Sequence, residues 1–242
     1  VSFMNRLINK VNFFVMSRFF VKTVAVSREM RQVLIDDYGF SKSRVEVIYN
    51  GIALPIIRQP NTSDIIRIGT CGRLKPVKNY SLFIEIACRI AEANPNVEFI
   101  LAGDGPERDN LKAQAFEANL ERRLVFTGHL KNMDLFYKSL NLYINTSLHE
   151  GIPMSVLEAM GHGVPVVVPK VGGFPEMIED GLEGFLISDY SVGSFVEKCL
   201  ILAFDVRKRR EMGRASRRKI EMKFSVEQMT QNYIQLYKTL TF

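Results

Sequence analysis

The chain has 242 residues, enough for one large domain or two small ones, and its 47% hydrophobic content is ordinary for a globular protein. Its net charge of +6 and pI near 9.2 favour anionic partners such as phosphate groups or acidic membrane surfaces. No stretch reaches the ~20 uninterrupted apolar residues of a membrane span, and no cleavable signal peptide is recognisable. The spacing of the three cysteines excludes a disulfide framework or a zinc site and indicates a reducing compartment.

The first part of the chain carries apolar residues at helical spacing, with basic residues between them. This pattern predicts a helix over Phe3–Phe20 whose phenylalanines form a buried face, with docking to lipid as the alternative. A strand at Lys22–Ser27, a helix at Arg28–Tyr38 and a strand at Val45–Gly51 are predicted next. Residues 53–63 carry two prolines and several polar turn formers and are predicted to be a linker. Since the chain begins with valine, we expect it to begin inside a larger protein.

Short apolar segments and helical segments alternate through the rest of the chain. The predicted strands are Ile65–Gly72, Val97–Gly103, Leu124–Gly128, Leu142–Ser147, Pro165–Pro169 and Gly184–Ile187. The predicted helices are Asn79–Ala93, Pro106–Asn119, Met133–Ser139, Pro153–Gly161, Phe174–Glu179, Val192–Phe204, Val206–Lys223 and Val226–Leu240. This alternation predicts an α/β fold with a doubly wound, Rossmann-like parallel sheet that helices cover on both faces. Ligands of such sheets bind at the carboxyl ends of the strands.

Two glutamates, eight positions apart, flank a tight turn in "HEGIPMSVLE" (His149–Glu158). Because proline is favoured at the first position of a helix, Ile152 is the predicted N-cap, and isoleucine has no side-chain acceptor. The N–H groups of Met154 and Ser155 would then be open at the ligand edge, where they can bind an anion. Two carboxylates would repel a phosphate but accept hydrogen bonds from sugar hydroxyls. The stretch therefore suits a ligand that has both a phosphate and sugar hydroxyls. The alternative interpretation is that Glu150 is only a loop carboxylate and Glu158 only an exposed helix residue.

From Lys22 to its end the sequence resembles the retaining GT-B glycosyltransferases of family 4, the glycosyl transferases group 1. The resemblance rests on the Glu-x7-Glu motif, on "CGRLKPVKN" (Cys71–Asn79), on a Pro-Val-Val strand, on Gly-Gly before Pro-Glu, and on "VEFILAGDGPERDNL" and "LVFTGHL". It implies that residues 1–52 are a remnant of the N-terminal acceptor domain and that residues 53–63 are the linker. Residues 64–225 would be the nucleotide-sugar-binding domain, and residues 226–242 a terminal helix crossing back to the first domain.

The resemblance also implies roles for single residues. Arg73 and Lys78 would hold the diphosphate of the donor and stabilise the leaving group. Glu150 would contact the transferred sugar, and Glu158 would bind the ribose. The other expected donor-binding residues are Gly72, Gly128, His129, Leu130, Gly151, Ile152, Pro153, Met154 and Ser155. No metal and no other cofactor is expected, and His149 and His162 are interpreted as structural.

The implied function is transfer of a hexose from an NDP-sugar, with retention, to a hydroxyl of a glycan or lipid-linked acceptor in cell-envelope glycan synthesis. Such an enzyme would be cytoplasmic, with peripheral contact to the inner face of the membrane, and this chain alone would be incomplete and inactive. The alternatives are a non-catalytic nucleotide-sugar-binding module with a partner chain and, less favoured by the glutamate motif, a sugar-nucleotide epimerase.

The dense basic segment Arg207–Lys219 raises a separate question about partners. It has no interleaved aromatic residues for base stacking, so no nucleic-acid partner is expected. A solvated face is the preferred interpretation, and contact with an anionic membrane is the alternative.

Overall fold

The computed structural model describes residues 12–13, 17–56 and 65–240, and these residues form two parallel β-sheets. Most of the predicted helix Phe3–Phe20 lies outside these ranges, as do residues 57–63 of the predicted linker. Within them, the ring of Phe13 packs on Tyr38 with the centroids 4.8 Å apart, whereas the side chain of Phe19 is 81% exposed. No helix among the described residues is both long enough and apolar enough to cross a bilayer.

The smaller sheet pairs β1 (Thr23–Ala25) with β2 (Val45–Val47) in parallel, and α1 (Arg28–Asp36) connects them. Ser27 begins α1 as its N-cap, because its side chain accepts the N–H of Met30 at 3.0 Å. The predicted helix extended two residues too far. The chain leaves the helix because Gly39 takes a left-handed conformation, with φ of 71°.

The larger sheet has six parallel strands, in the order β5-β4-β3-β6-β7-β8. Its strands are β3 (Ile66–Cys71), β4 (Val97–Ala102), β5 (Leu124–Gly128), β6 (Leu142–Ile144), β7 (Val166–Pro169) and β8 (Gly184–Ile187). The chain adds β4 and β5 on one side of β3 and then returns to add β6, β7 and β8 on the other. The predicted doubly wound fold is thereby confirmed, and the strand order reverses between β3 and β6. In such sheets the ligand crevice lies at this reversal.

Helices follow the strands and cover both faces of this sheet. They are α2 (Tyr80–Ala93), α3 (Arg108–Glu117), α4 (Met133–Ser139), α5 (Met154–Gly161), α6 (Phe174–Met177), α7 (Val192–Phe204), α8 (Val206–Lys223) and α9 (Val226–Lys238). Strand β7 shows why both faces need cover. The side chains of Val166 and Val168 are buried in one hydrophobic cluster with Phe174, whereas that of Val167 is buried in the other with Phe99.

The small sheet is joined to the rest of the molecule through Glu176 of α6. Its carboxylate accepts the backbone N–H groups of Arg28 and Glu29, at 2.9 and 3.1 Å, and the hydroxyl of Tyr49 at 2.8 Å. The first turn of α1 therefore receives an acceptor from a residue almost 150 positions later.

The segment that leads into the larger sheet is hydrogen-bonded to the segment that leads out of it. Ile52 forms a parallel bridge with Ser225: its N–H donates to Phe224 O, and its carbonyl accepts the N–H of Val226, both at 2.9 Å. A Cβ atom on Gly51 would lie 2.4 Å from the carbonyl oxygen of Ser225, so the close approach requires glycine there.

Candidate functional site

The carboxyl end of β3 leads into the loop that carries Arg73 and Lys78. Gly72 N–H donates to Ala102 O at 3.0 Å, and a Cβ atom on Gly103 would lie 2.0 Å from Gly72 O. This contact holds the β3 and β4 ends together with backbone alone. The side chain of Arg73 is exposed and makes no hydrogen bond or ion pair with another described residue. A 3-10 turn, Pro76–Lys78, then leads toward α2.

The loop after β6 packs directly on this 3-10 turn. Leu148 N–H donates to Val77 O at 2.9 Å, and Thr146 Oγ1 donates to Lys78 O at 3.0 Å. These bonds bring the Lys78 ammonium to the carboxylate of Glu150, with Nζ and Oε1 2.5 Å apart. The fold thus places these two predicted site residues together at the strand-order reversal.

Glu150 is held by a second donor that the sequence analysis missed. Ser147 Oγ donates to Glu150 Oε1 at 2.7 Å, so one carboxylate oxygen receives both contacts. The other oxygen, Oε2, has no hydrogen-bond partner among the residues of the described ranges. With its side chain only 12% exposed, Glu150 is fixed in place and keeps one free acceptor.

The amino end of α5 lies beside Glu150, and here one sequence prediction is wrong. The N-cap is Pro153, with φ −72° and ψ 121°, and not Ile152. The fixed φ of proline is compatible with an extended N-cap as well as with the first helical position, and burial of Ile152 in the core sets which one occurs. No side chain caps the helix, and the N–H groups of Met154 and Ser155 have no acceptor among the described residues. The predicted open helix end is therefore present.

Glu158 lies in the second turn of α5, and a neighbouring tyrosine fixes the orientation of its carboxylate. The hydroxyl of Tyr137 donates to Glu158 Oε2 at 2.7 Å. Burial raises the pKa of the Tyr137 phenol, so this hydroxyl stays protonated and remains a donor. His162 completes the support: Nδ1 lies 2.7 Å from Glu158 O, Nε2 lies 2.9 Å from Asp134, and the ring stacks on Tyr137. These contacts confirm the structural interpretation of His162.

A pair of glycines before α6 supports the turn at Glu150 and Gly151. Gly173 N–H donates to Glu150 O at 3.2 Å. A Cβ atom on Gly172 would lie 1.8 Å from that same oxygen, and Gly172 has φ of 54°, which favours glycine. In the sequence this Gly-Gly pair is recognisable only as a family motif. Its structural role is to let one backbone pass directly over another.

The predicted residues at the end of β5 lie farther along the same sheet edge. Gly103 N–H donates to Gly128 O at 2.8 Å, which continues the row of glycine contacts from β3 to β5. His129 is exposed and Leu130 is half-buried. Because β4 lies between β3 and β5, this region is separated from Arg73 by about two strand spacings, ~10 Å. A ligand contacting both must be extended along the edge.

Tyr80 is a further residue at this edge. Its side chain is only 4% exposed. Its hydroxyl is buried without a hydrogen-bond partner among the described residues, and a Cβ atom on Gly72 would lie 2.7 Å from it. Burial raises the pKa of this phenol, so the unpartnered hydroxyl is neutral.

Among the described residues, no group of three or more His, Cys, Asp or Glu side chains is arranged to hold a metal ion.

Comparison with protein families gives two matches. Residues 57–219 match the family model described as "Glycosyl transferases group 1", and residues 2–54 match the one described as "Glycosyltransferase Family 4".

Two curated relatives resemble the chain over most of its length. It is 27% identical over 231 residues to UDP-Gal:alpha-D-GlcNAc-diphosphoundecaprenol alpha-1,3-galactosyltransferase of Escherichia coli, covering 89% of this chain and 59% of the relative. It is 28% identical over 173 residues to poly(ribitol-phosphate) alpha-N-acetylglucosaminyltransferase of Staphylococcus aureus, covering 71% of this chain and 35% of the relative. The chain thus spans between about a third and three fifths of the length of these relatives.

Solved structures show the same fold. S. aureus TarM, in a complex with UDP, superposes with a TM-score of 0.86 at 23% identity, over 93% of this chain and 45% of TarM. Anabaena HepE, in complex with UDP and glucose, superposes with a TM-score of 0.82 at 25% identity, over 96% of this chain and 67% of HepE.

Proposed function

The chain belongs to the glycosyl transferases group 1 family, and on this premise we propose that it is the donor-binding part of a retaining hexosyltransferase. In this proposal residues 64–225 bind the nucleotide-sugar, and residues 1–52 belong to the acceptor-binding half. Residues 53–63 link the two, and residues 226–242 cross back to the acceptor-binding half.

One observation carries the proposal: the Lys78–Glu150 ion pair lies beside the open amino end of α5, at the reversal of the strand order. A nucleotide-sugar presents a diphosphate between two sugars. The cations of Arg73 and Lys78 and the free N–H groups of α5 suit the diphosphate. The free oxygens of Glu150 and Glu158 suit hydroxyl groups on either side of it.

The proposed chemistry uses these charges without a covalent adduct. The bond between the anomeric carbon and the diphosphate oxygen breaks, and a new bond forms from the acceptor oxygen on the same face of the sugar. The acceptor proton passes to the departing diphosphate. Arg73 and Lys78 stabilise the negative charge that develops on the leaving group, an electrostatic role. Because these cations supply the positive charge, we propose that no metal ion is required.

The names of the relatives suggest which donor and acceptor to test first. The E. coli relative is named for UDP-Gal and a diphosphoundecaprenol-linked acceptor, and the HepE structure holds UDP and glucose. We therefore propose a UDP-hexose donor and a glycan or lipid-linked acceptor in cell-envelope synthesis. The site of action would be the cytoplasmic side of the membrane, in peripheral contact with it.

The test is calorimetric titration of this chain with UDP, GDP and ADP, each with and without magnesium. We expect one nucleotide, UDP, to bind with or without magnesium, and Arg73→Ala to abolish binding. Lys75→Ala is the matched control, because Lys75 is an exposed cation of the same loop without a side-chain partner among the described residues. Equal loss of affinity in both variants, or binding only with magnesium, would contradict the proposed donor site.

A further inference from the structure

The net positive charge of the chain is concentrated in one helix. Helix α8, Val206–Lys223, has nine lysines and arginines and two glutamates, a net charge of +7, whereas the whole chain carries +6. The rest of the chain is therefore close to neutral. Like charges at helical spacing repel one another, so such a helix is less stable than one with mixed charges.

Part of this charge has a structural explanation. Arg209 Nη1 donates to the carbonyls of Leu202 and Ala203 at 2.6 and 3.0 Å and so satisfies the end of α7. Arg217 Nη1 donates to the carbonyls of Pro55 and Gly161, at 2.9 and 2.6 Å.

Lys219 has a structural role as well. It forms an ion pair with Glu183, with Nζ and Oε1 3.0 Å apart and both side chains largely buried. Three cations of α8 thus hold the fold together.

Three other arginines have no such role. Arg210, Arg214 and Arg218 recur at every fourth position, so they lie along one side of α8, and all three are exposed. Their guanidinium groups make no hydrogen bond or ion pair with another residue in the described part of the chain. Over eight residues of helix this row is ~12 Å long.

These arginines line a cavity of about 460 Å³ between α8 and two turns of the larger sheet. The turns contain Leu140 and Val164 and lead into the amino ends of β6 and β7, so the cavity is at the sheet edge opposite the donor site. Apolar atoms of Leu140, Val164 and Pro165 also line it. Of the described residues in its lining, only Glu221 is acidic, and its carboxylate is paired with Arg217.

The electrostatic environment of the cavity is strongly positive. Arg209 also lines it, and its pKa is lowered by burial and by the neighbouring charge of Arg210. A bound anion would relieve the repulsion among these guanidinium groups. Arginine forks match phosphate oxygens in two-pronged hydrogen bonds, and Glu221, the one carboxylate among the described lining residues, is already paired with Arg217.

We propose that this cavity is a second binding site, for a phosphate group carried on a body with apolar surface. The guanidinium groups of Arg210, Arg214 and Arg218 bind the phosphate, and the apolar lining contacts the rest. A soluble phosphorylated metabolite and the headgroup of an anionic phospholipid both present this chemistry. The lipid source must be tested because Val206, in the cavity lining, is 43% exposed, and Phe204, at the end of the preceding helix, is 65% exposed. The site is separate from the proposed donor site and does not depend on it.

The experiment uses two probes that distinguish these sources. Phenyl phosphate, titrated by calorimetry, represents a soluble organic phosphate. Sedimentation with phosphatidylglycerol vesicles, compared with phosphatidylcholine vesicles, tests the lipid headgroup. Each measurement is repeated on the cavity variant, Arg214→Glu/Arg218→Glu, and on a control of equal charge change, Lys112→Glu/Arg122→Glu. The native side chains at the two control positions are exposed and have no partner among the described residues.

We expect one probe to bind and the cavity variant to weaken it by at least about tenfold, with the control near the unaltered protein. Binding of phenyl phosphate would indicate a soluble phosphorylated ligand, whereas binding to phosphatidylglycerol vesicles would indicate a membrane lipid. Binding of neither probe, or equal weakening by both variants, overturns the proposal. Arg214→Gln/Arg218→Gln provides a milder variant if the charge reversal lowers stability. An unchanged UDP titration of the cavity variant would separate this site from the donor site.

Discussion

Lys78 and Glu150, 72 residues apart in the chain, form an ion pair in which Nζ and Oε1 are 2.5 Å apart. The cation proposed to hold the diphosphate is thus already paired with the carboxylate proposed to contact the sugar. Each partner keeps the other in the site before any donor is bound. Because both side chains are more than three quarters buried, removal of either leaves a charge with little access to water.

The first prediction concerns this cation and its neighbour. In the full-length enzyme, Arg73→Ala or Lys78→Ala should reduce turnover to below about a tenth of the unaltered rate, since a removed charge-stabilising donor typically costs 10²–10³ in rate. Lys78→Ala should also lower the free energy of unfolding by roughly 1–3 kcal/mol, because Glu150 loses its partner. Turnover and urea unfolding are the measurements. Lys75→Ala should change neither, and a Lys78→Ala enzyme above a tenth of the normal rate would disprove the role.

The second prediction compares two glycines with positive φ, of which only Gly172 is in close contact with another part of the backbone. Gly172→Ala places a Cβ atom 1.8 Å from Glu150 O, whereas Gly181→Ala, with φ of 82°, meets nothing within 4 Å. We expect Gly181→Ala to lower the free energy of unfolding by roughly 1–2 kcal/mol, the cost of a left-handed alanine. Gly172→Ala should cost more and should also weaken nucleotide binding, because the Glu150 turn must move. Urea unfolding and calorimetry test this; similar losses in both would show that the contact does not matter.

The third prediction compares two buried tyrosines near the site. The hydroxyl of Tyr137 donates to Glu158, so Tyr137→Phe should weaken nucleotide binding and lower stability by about 1 kcal/mol. The hydroxyl of Tyr80 is buried without a described partner, so Tyr80→Phe should leave the free energy of unfolding unchanged or raise it. Thermal unfolding measures both variants. A Tyr80→Phe protein destabilised as much as Tyr137→Phe would reveal a partner for the Tyr80 hydroxyl.

The fourth prediction concerns the contact between the two sheets. Glu176→Ala removes the acceptor of the Arg28 and Glu29 N–H groups and of the Tyr49 hydroxyl. Loss of a helix-capping acceptor costs ~1 kcal/mol, and we expect faster amide exchange at the start of α1. Ser27→Ala, which removes the local cap, should affect Met30 N–H instead. Amide hydrogen exchange distinguishes them, and unchanged exchange at Arg28 and Glu29 in Glu176→Ala would show that the contact is not maintained.

The fifth prediction concerns thiol reactivity. Burial raises the pKa of Cys71 and of Cys199, which are 7% and 0% exposed, so neither should react with a thiol reagent while the protein is folded. Cys88 is half-buried, and burial followed by the charge of Glu92 raises its pKa as well. Its reaction rate should therefore still be rising with pH above ~8.5, the ordinary thiol pKa. Fast labelling of Cys71 or Cys199 under native conditions would contradict the fold.

Local signals explain which elements could be predicted from the sequence. The bounds of α4, α7 and α8 agree with prediction because Asn132, Ser191 and Asp205 each cap a helix with their own side chain. The alternation of strands and helices predicts the doubly wound parallel sheet, and the handedness of the connections limits the strand orders that are possible.

The site could be predicted only in part, because much of it depends on distant contacts. The proposed roles of Arg73 and Glu150 come from the family motif, and the fold brings their two loops to one edge of the sheet. The Tyr137–Glu158 bond joins two helices whose packing no local pattern encodes. The N-cap at Pro153 was missed for a similar reason, since burial of its neighbour in the core decides the backbone angle there.

The bridge between Ile52 and Ser225 gives the molecule an unusual mechanical property. The chain crosses at this level twice, once on the way into the larger sheet and once on the way out, and hydrogen bonds at 2.9 Å tie the two crossings together. Two separate covalent connections thus behave as a single joint. Cutting the chain at Phe224 would remove the acceptor for Ile52 N–H and release the start of α9 in the same event. A rotation of the small sheet against the larger one would have to bend both connections together at this bridge and break the contacts of Glu176 with α1.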